Sequence, residues 1–298
     1  MTNIEIGLLC IVGIVLLVQS GMHVAVALVL LSFLGVWGIK GSMPIAGNML
    51  QLAAYEGIKA YNFGVIPLFV LMGLLVSASG IGTDTFNVAS QLFRRVRGGI
   101  GMSTVAANAI FAAVNGSSIA SASVFTKIAV PELLRLGYTP RFSVGVVAGS
   151  SVLGMLIPPS MLLIVLGIVA ELSIGDLFTA GIMPGLLLAA AYCLTIVILV
   201  RYFPDFVGKG GTVINHDMVV EPTPVLLKKI APIVLLITIV LGGIYGGVFT
   251  PIEAGAVGAL GALVLTIARG KLTREVMWNV LTETGYVAAS ILFLLIAA

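Results

Sequence analysis

Apolar residues run in long blocks along this chain, divided by short polar or glycine-rich breaks. Two blocks, 4–18 and 24–39, flank Gln19-Ser20-Gly21 and predict a helix pair. Residues 40–61 are more polar. There Ile45, Met49, Leu52, Ala53 and Ile58 recur at helical spacing opposite Asn48, Gln51, Glu56 and Lys59, the pattern of an amphipathic helix lying in a membrane interface. An apolar run at 65–78 follows. Residues 83–97 form a second amphipathic stretch, with Phe86, Ala89, Leu92, Phe93 and Val96 as its apolar face. It closes on Arg94, Arg95 and Arg97, a triplet that marks a cytoplasmic end.

The middle of the chain is apolar but interrupted. Residues 98–130 hold two arms too short to span singly, since a crossing takes about 20 residues. Val114-Asn115-Gly116-Ser117-Ser118 lies between them. Such arms predict a re-entrant hairpin with both ends on one side, in agreement with the charges before it and with Lys127, Arg135 and Arg141 after it. Thr139-Pro140 opens the next helix, with Thr as N-cap and Pro in the first turn. That run, 139–172, exceeds one crossing and is broken at Gly154-Met155-Leu156-Ile157-Pro158-Pro159-Ser160 into two half-helices. Residues 176–200 cross again, and 201–229 form the longest polar connection, expected in the cytoplasm. Residues 230–247 and 252–268 pair antiparallel around Val248-Phe249-Thr250. Residues 272–284 read as amphipathic. The apolar run 286–298 is too short alone to span, so further chain is expected beyond it.

Helix pair, amphipathic segment and apolar helix thus occur in that order twice, and counting crossings makes the second copy inverted, a common transporter design. The fold expected is all-α and polytopic: an inverted-repeat transporter with a re-entrant hairpin and a broken helix. Its expected divisions are a first scaffold repeat with interfacial arm helices (1–97), half of a transport domain (98–203), a cytoplasmic loop (204–229) and a truncated second scaffold repeat (230–298).

Composition excludes a soluble reading. Of the 298 residues 59% are hydrophobic and 9% charged, against about 25% charged in soluble domains. The net charge of +3 gives no reason to expect nucleic acid. Cys10 and Cys193 lie within apolar runs without a CxxC partner, and His23 and His216 are isolated, so no transition-metal site is expected. The N-terminus lacks the basic region and cleavage site of a signal peptide and is read as retained. There is no GxxxxGK[ST], hence no expected ATP drive.

Candidate chemistry concentrates at the two breaks. Unpaired backbone in hydrocarbon costs several kcal/mol per group, so such breaks persist where protein, water or an ion satisfies them. Carbonyls and serine hydroxyls at the hairpin tip suit a hard cation, and the helix beginning near Ser118 offers its positive end to a carboxylate. An ordinary Asn-Gly turn and a plain proline kink are the alternatives, against which the short arms and same-side charges weigh. Elsewhere, Thr250-Pro251-Ile252-Glu253 reads as a capping box rather than an intramembrane acid site. Gly242, Gly243, Gly246 and Gly247 read as helix packing, and Trp37, Tyr61, Tyr138 and Tyr202 as an interfacial aromatic belt.

Asn115-Gly116-Ser117-Ser118-Ile119-Ala120-Ser121-Ala122, Leu156-Ile157-Pro158-Pro159-Ser160, and the run from Gly242 through Thr250-Pro251-Ile252-Glu253 to Ala256 resemble the large membrane subunit of tripartite ATP-independent periplasmic (TRAP) transporters over the whole chain. The resemblance implies a sodium-coupled elevator in the bacterial inner membrane, importing organic acids such as C4-dicarboxylates or sialic acid. It implies a small four-helix membrane partner and a periplasmic binding protein. It places sodium between Asn115, Gly116, Ser117 and Ser118 and the facing Gly154, Ile157 and Pro159. Substrate is implied beside Asn115, Gly116, Ser117 and Ser118, across from a second hairpin lying beyond this stretch. Three other readings stay open: a stand-alone anion or ion exchanger, a channel, and an intramembrane hydrolase using Ser118 or Ser121 with Lys127.

Overall fold

A computed structural model describes residues 2–59, 61–212 and 221–298. His216 and part of the expected cytoplasmic loop lie outside them, as do the side chains of Ile58 and Tyr61. The described chain is helical and falls into two compact units, one of residues 1–64 and 285–298, the other of 65–284.

In the first unit α1 (Asn3–Gln19) and α2 (Val24–Lys40) pack as a pair, and α2 packs on α3 (Met43–Lys59). Thr2 and Glu5 form a capping box at the start of α1, satisfying two orphan N–H groups. Cys10 fills the space beside Gly35 and reaches the Leu31 carbonyl at 3.5 Å, a packing role. A short turn of helix, Tyr61–Gly64, closes the unit's N-terminal part.

The second unit holds α4 (Val65–Ala78), α5 (Ile81–Phe93), α6 (Gly99–Asn115), α7 (Ser118–Arg135), α8 (Pro140–Ser151), α9 (Leu153–Leu156), α10 (Met161–Val169), α11 (Ile174–Tyr202), the short α12 (Pro204–Val207) and α13 (Lys209–Thr212), α14 (Thr223–Tyr245) and α15 (Pro251–Ala268). The division falls inside α16 (Arg274–Ala297). Among the described residues five segments are long and apolar enough to cross a membrane: Pro140–Val169, Ile174–Tyr202, Thr223–Tyr245, Pro251–Ala268 and Arg274–Ala297. Helices α4 and α5 meet at a 65° bend. Many large apolar side chains stay exposed, among them Leu187, Leu194, Leu235 and Leu260, as a lipid-facing surface requires.

Helices α4 and α5 group with the hairpin in one unit, which begins at Val65. Several expectations need correcting. Helix α14 starts at Thr223 rather than 230, with Pro224 in its first turn, so Lys228 and Lys229 are helical. The Lys229 ammonium pairs with Glu221 at 2.5 Å. The amphipathic 272–284 and apolar 286–298 segments are one continuous helix, α16, long enough to span, because nothing between them caps or breaks it. Leu92 does not join the α5 apolar face; it is 75% exposed, while Phe86, Ala89 and Ile81 are buried.

The glycines at 242–247 also serve a different purpose. Gly247 at φ +67 ends α14 in the left-handed conformation, and the Gly243 carbonyl takes the Val248 and Phe249 N–H groups, a glycine C-cap. Tight helix packing occurs instead between α15 and α4. There Gly255 faces Leu68 and Phe69, and Gly258 faces Met72. Thr266 donates to the Leu75 carbonyl at 3.1 Å, and Arg269 pairs with Asp84 of α5 at 2.5 Å.

Candidate functional site

Helices α6 and α7 form the hairpin, turning at Gly116 and Ser117. Gly116 ends α6 in the left-handed conformation, φ +62, and its N–H returns to Ala112 O at 3.1 Å. Ser117 is extended and caps α7, its hydroxyl accepting from Ala120 N–H at 3.4 Å. Asn115 donates from Nδ2 to Ser117 O at 3.1 Å, holding the turn closed. The hairpin is therefore built by local chemistry, as its residues predict.

The break is built the same way. Helix α9 ends at Leu156, Ile157 turns extended, and α10 begins at Met161 with Ser160 as its N-cap. The Pro158–Pro159 bond is cis. The Ser160 hydroxyl also donates back to Met155 O.

The structure brings tip and break together. Met161 N–H donates to Gly116 O at 3.1 Å. A Cβ at Gly116 would stand 2.5 Å from Pro159 O, and one at Gly154 would stand 2.9 Å from Ser117 O and 3.1 Å from Ser118 N. Hence Gly116, Ser117, Ser118, Gly154 and Pro159 form one cluster. Ile157 belongs to its back wall, against Gly185 of α11, where a Cβ would come within 2.7 Å of its side chain. One turn away Gly181 faces Leu156 O.

Asn115 faces a helix that the sequence did not connect to the site. A Cβ on Gly73 of α4 would lie 2.6 Å from Asn115 Oδ1 and 2.7 Å from its main-chain O. Among the described residues no backbone N–H is paired with the main-chain oxygen of Asn115 or of Pro159. The cluster is thus rich in oxygen and free of ionised side chains, and no group of three or more His, Cys, Asp or Glu is assembled among the described residues. Such a set can hold a hard monovalent cation through carbonyls, the way discontinuous helices bind coupling ions.

Below the tip lies a buried polar pair, also missed in the sequence. Asn108 of α6 donates from Nδ2 to Ser150 Oγ of α8 at 2.7 Å. The Oδ1 of Asn108 and the Oγ of buried Ser121 on α7 have no partner among the described residues. A seven-residue step, two helical turns, puts Asn108 and Asn115 on one face of α6, a local signal linking them.

Lys127 is exposed and lies nine residues after Ser118 along α7, roughly 13 Å of helix rise. Ser121 is buried and lies six residues before Lys127, roughly 9 Å of rise, so neither serine forms a dyad with it. Glu253 donates nothing to the site; it is exposed and completes the capping box with Thr250, which reaches it at 2.8 Å through N–H.

At the opposite end of the hairpin, Tyr138 is no interfacial belt residue. It is 4% exposed, stacks on Phe142 with centroids 5.3 Å apart, and takes a hydrogen bond from the Ile100 backbone. Burial pushes its phenol up to about 12, that hydrogen bond pulling the other way. Trp37 and Tyr202 are exposed as expected of a belt.

A family model described as "Tripartite ATP-independent periplasmic transporter, DctM component" matches residues 11–298. The chain is 31% identical over 271 residues to the C4-dicarboxylate TRAP transporter large permease protein DctM of Pseudomonas aeruginosa, covering 87% of this chain and 60% of that protein. It is 30% identical over 299 residues to the protein of the same name from Rhodobacter capsulatus, covering 95% and 65%. It is 32% identical over 271 residues to the sialic acid TRAP transporter large permease protein SiaM of Vibrio cholerae, covering 90% and 61%. The chain thus spans less than two thirds of the length of these relatives, all of them named as transporter permeases.

Proposed function

Because the chain belongs to the DctM component family of tripartite ATP-independent periplasmic transporters, we propose that it is part of the large permease of a sodium-coupled importer of organic acids in the bacterial inner membrane. The observation that carries this reading is the docking of the hairpin tip on the helix break, where backbone oxygens converge without an ionised side chain.

Sodium is held by oxygens of Asn115, Gly116, Ser117, Ser118, Gly154, Ile157 and Pro159. Its binding fixes the tip against the break. The first-turn N–H groups of α7, at the positive end of its dipole, then face the substrate carboxylate. Ile119 stands beside them 80% exposed, marking the open side of the tip where Asn115, Gly116, Ser117 and Ser118 meet the substrate. Ordering by one ligand lowers the cost of binding the other, which is coupling through a shared conformational equilibrium. The hairpin re-enters the membrane and, together with the broken helix it docks on, moves as an elevator. A small four-helix membrane subunit and a periplasmic binding protein complete the system, which the word tripartite in the family's description supports.

The test is uptake of radiolabelled organic acids by proteoliposomes holding the complete protein and its small subunit. A sodium gradient and the binding protein are each supplied or withheld. Uptake requiring both is expected; uptake with sodium but without the binding protein would indicate a stand-alone exchanger. Ser117→Ala with Ser118→Ala is expected to remove sodium-dependent uptake while the protein still inserts. Wild-type uptake by that double variant would refute this placement of the ion.

A further inference from the structure

An open cavity of about 310 Å³ lies at the end of α11, lined by Arg97, Val197, Val200, Arg201 and Pro204. Both arginines are exposed, and among the described residues neither takes part in an ion pair. Among the described residues no carboxylate lines the cavity. The nearest in sequence, Asp205, is exposed beside Pro204.

The position of this cavity is set by packing. A Cβ on Gly98 would stand 2.8 Å from the Val200 side chain, and Gly98 N–H donates to Gly211 O at 3.0 Å. These contacts hold Arg97, at the base of the hairpin, beside the last turn of α11. That helix, Ile174–Tyr202, is long and apolar enough to cross a membrane, so Arg201 in its final turn stands at the membrane edge. Toward the middle of the helix, Leu194, Val197 and Ile198 are exposed. Two guanidiniums therefore overhang an apolar strip at the depth of lipid headgroups.

We propose that this cavity binds the phosphate of an anionic phospholipid. The phosphodiester sits between Arg97 and Arg201, and an acyl chain covers Leu194, Val197 and Ile198. Guanidinium forks match phosphate oxygens, and basic pockets at helix ends are the usual seat of anionic headgroups. Free phosphate would meet the arginines but leave the strip uncovered. The bound lipid would bridge the base of the hairpin to α11.

The experiment is native mass spectrometry of the complete protein released from nanodiscs of phosphatidylglycerol or of phosphatidylcholine. Retention of phosphatidylglycerol over phosphatidylcholine is expected. Arg97→Gln and Arg201→Gln should each lower retention roughly fivefold, and together about 25-fold. Arg141→Gln, removing an exposed arginine that does not line the cavity, should leave it unchanged, and excess inorganic phosphate should not displace the lipid. Wild-type retention by the double variant, equal loss in Arg141→Gln, or displacement by phosphate would each overturn the proposal. If the double glutamine variant does not fold, the double lysine variant replaces it. It keeps the charges without the forks, and a loss of several-fold is expected; unchanged retention overturns the proposal.

Discussion

The two ends of the hairpin are held by opposite means. At the tip, Gly73, Gly116 and Gly154 let backbone approach backbone, and main-chain oxygens of Asn115 and Pro159 are left without a backbone donor among the described residues. At the base, the backbone is knitted shut. Thr139 N–H donates to Val207 O at 2.9 Å and its hydroxyl to Phe206 O at 2.5 Å, Gly210 N–H donates to Gly137 O at 3.2 Å, and Gly98 N–H to Gly211 O. Tyr138 fills the centre with its ring. Satisfied hydrogen bonds and a buried aromatic make a fixed anchor. Oxygens held close with few donors suit the cation proposed for the tip. The hairpin is thus anchored at the end that carries charge and left adaptable at the end that lacks it.

The largest effect that would break this comparison is at Gly116. Alanine there meets a left-handed φ, costing about 1–2 kcal/mol, and its Cβ would stand 2.5 Å from Pro159 O. The tip cannot retreat without losing the Met161–Gly116 hydrogen bond. Sodium-dependent uptake by Gly116→Ala should fall about a hundredfold or more, equivalent to ~3 kcal/mol, with insertion unchanged. Near-normal uptake would show the tip to be an ordinary turn.

A smaller effect is expected at Gly73. Alanine presses on both oxygens of Asn115 but leaves the turn itself intact. The half-saturating sodium concentration should rise about tenfold, ~1.4 kcal/mol, at little cost to maximal uptake. Gly82→Ala is the control. Its Cβ would meet the Val124 side chain on the same hairpin, away from the tip, so it probes packing alone. A sodium shift in both variants, or in neither, would remove Asn115 from the ion's surroundings.

These contacts also show what the sequence could carry. The tip and the break were legible because each is local: Asn-Gly with a serine cap, and two prolines in an apolar run. Most helix ends were legible for the same reason, Thr139-Pro140 and the Thr250–Glu253 capping box most clearly. Gly73, Gly181 and Gly185 were not, because a glycine in an apolar helix reads the same whether it admits a side chain, a carbonyl or nothing. Gly242 and Gly243 misled on that account, while Gly255 and Gly258 did the packing. The join inside α16 was misjudged because hydropathy changes near Thr284 without any capping residue, and the backbone follows capping rather than hydropathy. Tyr138 was placed at an interface by residue type, whereas its ring stacks on Phe142, four residues on, and lies against Gly210, far away in sequence.

Tyr138→Phe sharpens the comparison from the base and is the smallest change expected. Helix α6 begins after Gly98 with no side-chain cap, so its first N–H groups need other partners. The Tyr138 hydroxyl supplies one to Ile100. Phenylalanine keeps the ring stacked and loses only that bond, about 1 kcal/mol. The urea midpoint should drop slightly at neutral pH, and the half-saturating sodium concentration should not move. The pH dependence identifies the group. Folding raises this phenol's pKa, so its contribution is complete below the ordinary value near 10 and is lost as pH climbs toward about 12. Wild type should therefore lose stability relative to Tyr138→Phe between pH 10 and 12, with the two curves parallel between pH 7 and 9. Parallel curves throughout would mean that the phenol ionises as freely in the folded protein as in the unfolded chain, and a sodium shift in this variant would mean that base and tip are not the separate devices their contacts describe.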